Sequence, residues 1–333
     1  MNSVVKIGDL LFCFKGTHRL LELYFPNLTL TKNESFEEFN YVIIPKGKMN
    51  LDIQLPNSKV YHVENFMGSK YDVYEEKGIK YYLSTKNEFG NHLFVVSGKY
   101  FEVYSMEDNC WDDYIWSVRL CRELLMNYYF EKGYVPLHSS AVNYHNKGII
   151  SIGVKGSGKT TMLCALAKNG SKILSNDFIL IGCNNRGIEV IGWPWKITIG
   201  NSLAEILKLD ILESKPKVDV YPQKFCELFD CKWRWQSKVN IILFPKVVLN
   251  EKLLIYKIPK AYSKEKILSG GIEYKKITNI FSGKEYVFDF EDIVNKLMDY
   301  IPCYSVCGDI WKYADILEVF LKDINNSINN NGF

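Results

Sequence analysis

The feature that most constrains this chain is the run Gly153-Val154-Lys155-Gly156-Ser157-Gly158-Lys159-Thr160. It satisfies the spacing G-x-x-x-x-G-K-[ST], and its flanks suit what that spacing is for. Gly148-Ile149-Ile150-Ser151-Ile152 reads as a buried strand leading in. Residues 161–169 hold no Gly or Pro, place Met162, Leu163 and Leu166 on one side, and stop at Gly170, as a helix would. Strand, glycine loop and helix together make an anion nest, because the glycines let successive N–H groups turn inward at the positive end of the helix. The candidate contacts to a nucleoside triphosphate are Gly153, Lys155, Gly156, Ser157, Gly158, Lys159, Thr160 and Thr161. Of these, the Lys159 ammonium suits the β and γ phosphates and the Thr160 hydroxyl suits Mg²⁺.

An acid follows at short range. Ile173-Leu174 is a minimal strand ending in Ser175-Asn176-Asp177, after which residues 178–181 begin another. A right-handed crossover through the loop's helix returns the chain parallel to the loop's strand and sets Asn176 and Asp177 at the sheet edge where ligands bind. Asp177 is therefore a candidate to hold Mg²⁺ or receive a proton, the plain alternative being a turn cap. Upstream, residues 136–142 read as a strand and residues 144–148 as the turn into the loop's strand. If those strands pair, His138 lies near the phosphates; a hydrogen-bonded core histidine is the alternative.

Around this unit the 333 residues leave room for about two domains. The first hundred residues carry short Val-, Ile-, Tyr- and Phe-rich stretches at 42–44, 59–63, 71–74, 80–83, 92–96 and 100–104, separated by Gly-, Asn- and Lys-containing turns. Such close spacing predicts antiparallel hairpins. From 112 to 130 there is no Gly or Pro, and Trp116, Leu120, Leu124 and Tyr128 recur on one helical face. A boundary in the polar stretch 105–109 follows, giving a small antiparallel β-rich domain at 1–108, an α/β domain at 109–324 and an Asn-rich loose tail at 325–333.

Lys plus Arg is 41 and Asp plus Glu is 38, a net +3 that gives no global reason to expect nucleic acid or an anionic membrane as partner. The nine cysteines lack metal-site spacing and read as reduced apolar side chains, Cys303 and Cys307 included. No apolar run is long enough to span a bilayer. The stretch 4–14 is broken by Lys6 and Asp9, unlike a secretory segment, so a cytoplasmic protein is expected.

The run 135–181 resembles the HPr kinase/phosphorylase superfamily, related to phosphoenolpyruvate carboxykinase. Family members have a His-bearing strand, a phosphate loop, and an acidic pair about seventeen residues after the loop's Lys, which here falls on Asn176 and Asp177. The smaller branch of kinases that act on ribosomally made peptides, lasso-peptide precursors among them, looks most similar. Arg122-Glu123-Leu124-Leu125 with Gly133-Tyr134-Val135-Pro136-Leu137-His138 is similar to its lead-in, residues 239–245 to a later core strand, and 301–306 to a near-terminal strand before a final helix. The resemblance implies an α/β P-loop kinase domain of HPr-kinase type, ATP and Mg²⁺ as ligands, and His138 beside the family's active His. It departs at Asn176, where the family's first acid, the base for the attacking hydroxyl, is an amide. An amide orients a hydroxyl but takes no proton from it.

The expected function is thus ATP-dependent phosphorylation of a hydroxyl, a Ser of a peptide or small protein. His138, Asn176 and Asp177 form the catalytic set, and Thr160 and Asp177 hold the metal. The alternative is a nucleotide-binding pseudokinase that docks peptide without modifying it. Self-association is left open. Trp193-Pro194-Trp195-Lys196 and Lys232-Trp233-Arg234-Trp235 read as packing, with a peptide grip or an Arg234–phosphate contact as the alternative.

Overall fold

The computed structural model describes residues 1–32, 35–48, 53–65, 68–86, 91–105, 114–185, 187–210 and 216–330. They divide into two units, Met1–Lys132 with Tyr274–Phe288, and Gly133–Glu273 with Asp289–Phe333. The first is built on nine strands: β1 (Asn2–Ile7), β2 (Leu10–Phe14), β3 (Thr29–Thr31), β4 (Tyr41–Lys48), β5 (Lys59–Glu64), β6 (Lys70–Glu76), β7 (Ile79–Lys86), β8 (His92–Ser97) and β9 (Tyr100–Ser105). Their order is β3-β1-β2-β4-β9-β8-β7-β6-β5.

The meander β5–β9 is antiparallel throughout, as the turn spacing predicts. The sheet as a whole is mixed, however, because β4 runs parallel to both β2 and β9. The links to those neighbours, one through helix α1 (Arg19–Tyr24) and one through the meander itself, are long enough to return the chain in the same direction. Strand β4 also continues through Pro45, beyond the 42–44 stretch read from the sequence. The register shifts between Pro45 and Gly47, and such a bulge tolerates a residue without an N–H.

Helix α2 (Tyr114–Glu131) packs on β4, β9 and α1. It is buried around most of its circumference, Arg122, Glu123 and Asn127 included, where the sequence showed one apolar face. It therefore belongs with the first unit. The division falls after Lys132, and most of the 105–109 stretch where a boundary was expected lies outside the described residues.

The second unit runs β10 (Val135–Leu137), β11 (Ser139–Tyr144), β12 (Lys147–Ile152), α3 (Lys159–Lys168), β13 (Lys172–Ser175), β14 (Ile179–Asn184), β15 (Gly187–Ile191), β16 (Ile197–Gly200), α4 (Asn201–Ile206), β17 (Lys217–Val220), α5 (Pro222–Phe229), β18 (Gln236–Val247), β19 (Leu254–Lys257) and α6 (Lys260–Gly270). The chain then returns to the first unit as the hairpin β20 (Lys276–Thr278)–β21 (Glu285–Val287). There the Tyr82 hydroxyl donates to Phe281 O at 2.9 Å and the Tyr286 hydroxyl to Glu131 Oε1 at 2.6 Å. Helix α7 (Phe290–Tyr300), β22 (Cys303–Gly308) and α8 (Ala314–Asn330) complete the second unit. Helix α8 carries regular structure through most of the segment expected as a loose tail.

The second unit is a mixed, sheet-rich α/β assembly, ordered β10-β14-β15-β18-β12-β11-β13, with β22 on β18 and β19 on β22. Strand β18 forks it: its first residues pair antiparallel with β15, the rest parallel with β12 and β22. Ile149, Ile150, Ile152, Ile241, Ile242 and Leu243 are fully buried there, as strands covered on both faces require. Strand β13 runs in the same sense as β12, as the crossover predicts, but β11 lies between them, antiparallel to each. Among the described residues no helix is long and apolar enough to cross a membrane.

Candidate functional site

At the carboxyl end of β12 the chain turns through Gly153–Gly158 into α3. Gly156 and Gly158 adopt φ of 85° and 107°, and Gly158 is the residue just before the helix. Both angles favour glycine. Gly158 is also pinned sterically, since a Cβ there would strike Val247 at the end of β18. Val247 N–H donates to Ser157 O at 3.1 Å, so β18 braces the loop. Lys159 is only 8% exposed, and its ammonium donates to Gly153 O at 2.6 Å and Val154 O at 3.4 Å. Burial lowers its pKa, while the charges of Asp177 and Glu273 oppose that shift. Lys155 is exposed on the loop, and Thr160 and Thr161 are half-buried in the first turn of α3.

His138 occupies a break in what the sequence presented as one strand. Val135–Leu137 pairs with β14, Ser139–Tyr144 pairs with β12 and β13, and His138 sits where the chain changes partners. Because β11 runs antiparallel to β12 and β13, His138 at its start shares the edge of the loop and of Asn176-Asp177. Its Nδ1 lies 3.5 Å from Asp177 Oδ1 and 3.4 Å from Glu273 Oε2. Asn176 is buried, and its Oδ1 has no hydrogen-bond partner; Ser157 Oγ on the loop is in the same condition. Buried polar atoms without partners cost roughly 1–3 kcal/mol each.

Glu273 was not among the residues expected here. It arrives with the end of α6, where Gly270 and Gly271 permit a close backbone approach. A Cβ on Gly270 would stand 3.1 Å from Gly153 Cα, and Gly271 O accepts from His138 N–H at 2.8 Å. The adjacent glycines were the only trace of this contact in the sequence.

The other aromatic and basic candidates divide: Lys232 is exposed, and Trp195 and Lys196 are half-buried. Trp193, Trp233 and Trp235 are buried. Arg234 spends its guanidinium on Gln236 O, Asn143 Oδ1 and Asn146 Oδ1 at 2.8, 3.4 and 3.3 Å. The eight described cysteines are free.

Among the described residues no three His, Cys, Asp or Glu side chains form a metal cage. A Mg²⁺ ion that accompanies a nucleotide needs only one or two protein oxygens beside phosphate. The Thr160 hydroxyl, the exposed Asp177 carboxylate and the unpartnered Asn176 Oδ1 are oxygens of the kind it takes, so the donor set fits such an ion.

No protein-family model matches the sequence, and no curated protein matches it. Among solved structures the chain is similar to the HPr(Ser) kinase/phosphatase from Coxiella burnetii, with a TM-score of 0.33 and 11% sequence identity over 59% of this chain and 99% of that one. Similarity of that degree assigns neither family nor activity. The peptide-modifying branch noted from the sequence has no counterpart in these comparisons.

Proposed function

We propose that the chain is an ATP-dependent kinase that phosphorylates a hydroxyl, the side chain of a Ser in a peptide or small protein. The observation that carries this reading is the convergence of a braced phosphate loop with His138, Asn176, Asp177 and Glu273 at one sheet edge. Phosphoryl transfer rests on positioning and charge neutralisation, which the loop N–H groups, Lys159, Thr160 and Asp177 can supply. Mg²⁺, held by Thr160 and Asp177, would neutralise phosphate charge.

His138 Nδ1 faces the carboxylates of Asp177 and Glu273 at 3.5 and 3.4 Å; in this reading Nδ1–H donates to them and Nε2 is the nitrogen that takes a proton. Asn176 orients the attacking hydroxyl, and His138 receives its proton as the new O–P bond forms and ADP departs. A carboxylate base in its usual place contributes about 10²–10⁴-fold, so the reaction runs slowly here. The reading includes a reducing, cytoplasmic setting, with neither nucleic acid nor membrane as partner.

Asn176 also favours a second reading, a nucleotide-binding module that docks peptide without modifying it. Incubating the purified chain with γ-labelled ATP, Mg²⁺ and Ser-containing peptides separates the two. The kinase should place label on the hydroxyl; a nucleotide-dependent thermal shift without any transfer would leave the binding module.

A further inference from the structure

Strand β19 ends the second unit's sheet, and among the described residues it pairs only with β22. Ile258 N–H donates to Cys303 O. Bonded residues alternate along an antiparallel pair, so Tyr256 and Leu254 also turn their backbone groups to β22. Ile255 and Lys257 therefore turn theirs outward, presenting two N–H and two C=O groups at a free edge.

The two faces of this edge differ. Tyr304, opposite Lys257, meets Phe320 of α8 edge-on. Leu254 and Tyr256 point to the other face, the one that carries α6, and are 62% and 54% exposed. Tyr262 of α6 is exposed as well, with the Lys266 ammonium 4.9 Å from its ring.

Charge is concentrated here too. Residues 245–268 hold six Lys (246, 252, 257, 260, 264 and 266) against Glu251 and Glu265; Asp299 of α7 pairs with Lys260 at 3.3 Å, which leaves a local net of 6 − 3 = +3, as much as the whole chain carries. An exposed apolar edge strand is a template for strand addition. Two copies of a lysine-bearing edge repel each other, whereas alternating acids and apolar residues complement it.

We propose that the free edge of β19 docks an acidic peptide segment with alternating apolar residues as an added strand. The further step, that this segment is the substrate's docking sequence, rests on the kinase reading. The strand order β11-β12-β18-β22-β19 puts an added strand five inter-strand steps, about 24 Å, from β11, at whose start His138 lies. An extended chain covers that distance in about seven residues. The reactive Ser thus lies about seven residues or more from the docked segment.

The probe is a fluorescein-labelled peptide of about eight alternating Glu and Val residues, carrying a Ser either about three or about ten residues beyond them. Anisotropy with the full chain and no nucleotide should show binding that weakens with salt and falls at least about tenfold in the Leu254→Glu/Tyr256→Glu double variant. Both positions are exposed, and an unchanged thermal shift with Mg²⁺ and ATP checks that the variant is folded. Equal affinity in wild type and variant overturns the proposal. So does equal binding of a peptide with Lys for Glu, or a wild-type dimer that the double substitution dissociates. With ATP added, the distant Ser should be labelled at least about tenfold faster than the near one; equal rates overturn the docking register. Salt-sensitive, variant-sensitive binding without transfer to either Ser supports docking and removes the kinase reading.

Discussion

Lys159 donates to the loop's own Gly153 O and Val154 O and is nearly buried, so removing it takes a charge from the nest and leaves the nest's backbone in place. Lys159→Ala should cost most of the ATP affinity, read by calorimetry, while the far-UV spectrum and the melting temperature without nucleotide stay close to wild type. Undiminished affinity would show that the loop does not hold phosphate through this ammonium. In the kinase reading the neighbouring pair divides the remaining chemistry. Asp177 faces the solvent and His138, whereas Asn176 is buried with an unpartnered oxygen. Asp177→Asn should abolish transfer by weakening the Mg²⁺ site, visible as a loss of Mg²⁺ dependence in nucleotide binding. Asn176→Asp should leave transfer unchanged or raise it, up to the roughly 10²–10⁴-fold that a positioned base supplies. Loss of transfer in Asn176→Asp with nucleotide binding intact would mean that the amide has a role of its own.

Helix α2 buries Glu123 in the first unit, and desolvation pushes its pKa up to about 7 from 4.5, against the opposing influence of Arg122, Asn65 and Arg119. A raised carboxyl keeps its proton in the folded unit at a pH where the unfolded chain has released it. Stability should therefore fall as pH rises from about 4.5 through about 7, by as much as about 3 kcal/mol. Glu123→Gln should remove that slope, measured as the urea midpoint of the first unit at pH about 5 and about 8; a slope that persists would place the titrating group elsewhere. Elements differ in how far they could be read from sequence, and the reason is range. The loop, α3 and the β11–β12 hairpin follow from spacing within a few residues, down to His145 and Asn146 with φ of 46° and 63° in the turn. The β1–β2 hairpin was hidden because Lys6 and Asp9 looked like interruptions of an apolar stretch. In the fold Lys6 points outward between buried Val5 and Ile7, and Asp9 lies in the turn. Glu273 left only the adjacent Gly270 and Gly271 as a trace, because long-range packing at those glycines is what brings it to His138.

At the scale of the molecule, the decisive feature is that one unit is interrupted by the other. The sequence suggested a cut near 108, which would strip α2 from the sheet it packs on and expose Trp116, Leu120, Leu124 and Leu125, all buried. The hairpin β20–β21 lies in the chain between α6 and α7 of the second unit but is hydrogen-bonded to Tyr82 and Glu131 of the first. A fragment 109–333 would thus carry two orphaned apolar surfaces, whereas a fragment 133–333 with residues 274–288 replaced by a Gly/Ser linker of equal length would carry neither. The residues of the proposed site all lie within the second unit, His138, Lys159, Asn176, Asp177 and Glu273 included. The linker-bearing fragment should therefore be monodisperse by size exclusion and keep its thermal shift with Mg²⁺ and ATP, about 2.7 kcal/mol of stabilisation at ligand one hundred times the dissociation constant. The 109–333 fragment should aggregate, since burying helix side chains of this size is worth about 1.5–3 kcal/mol apiece and exposing them costs as much. If the 109–333 fragment were the well-behaved one and the linker-bearing fragment failed to bind nucleotide, α2 and the hairpin would have to be reassigned to the nucleotide-binding unit.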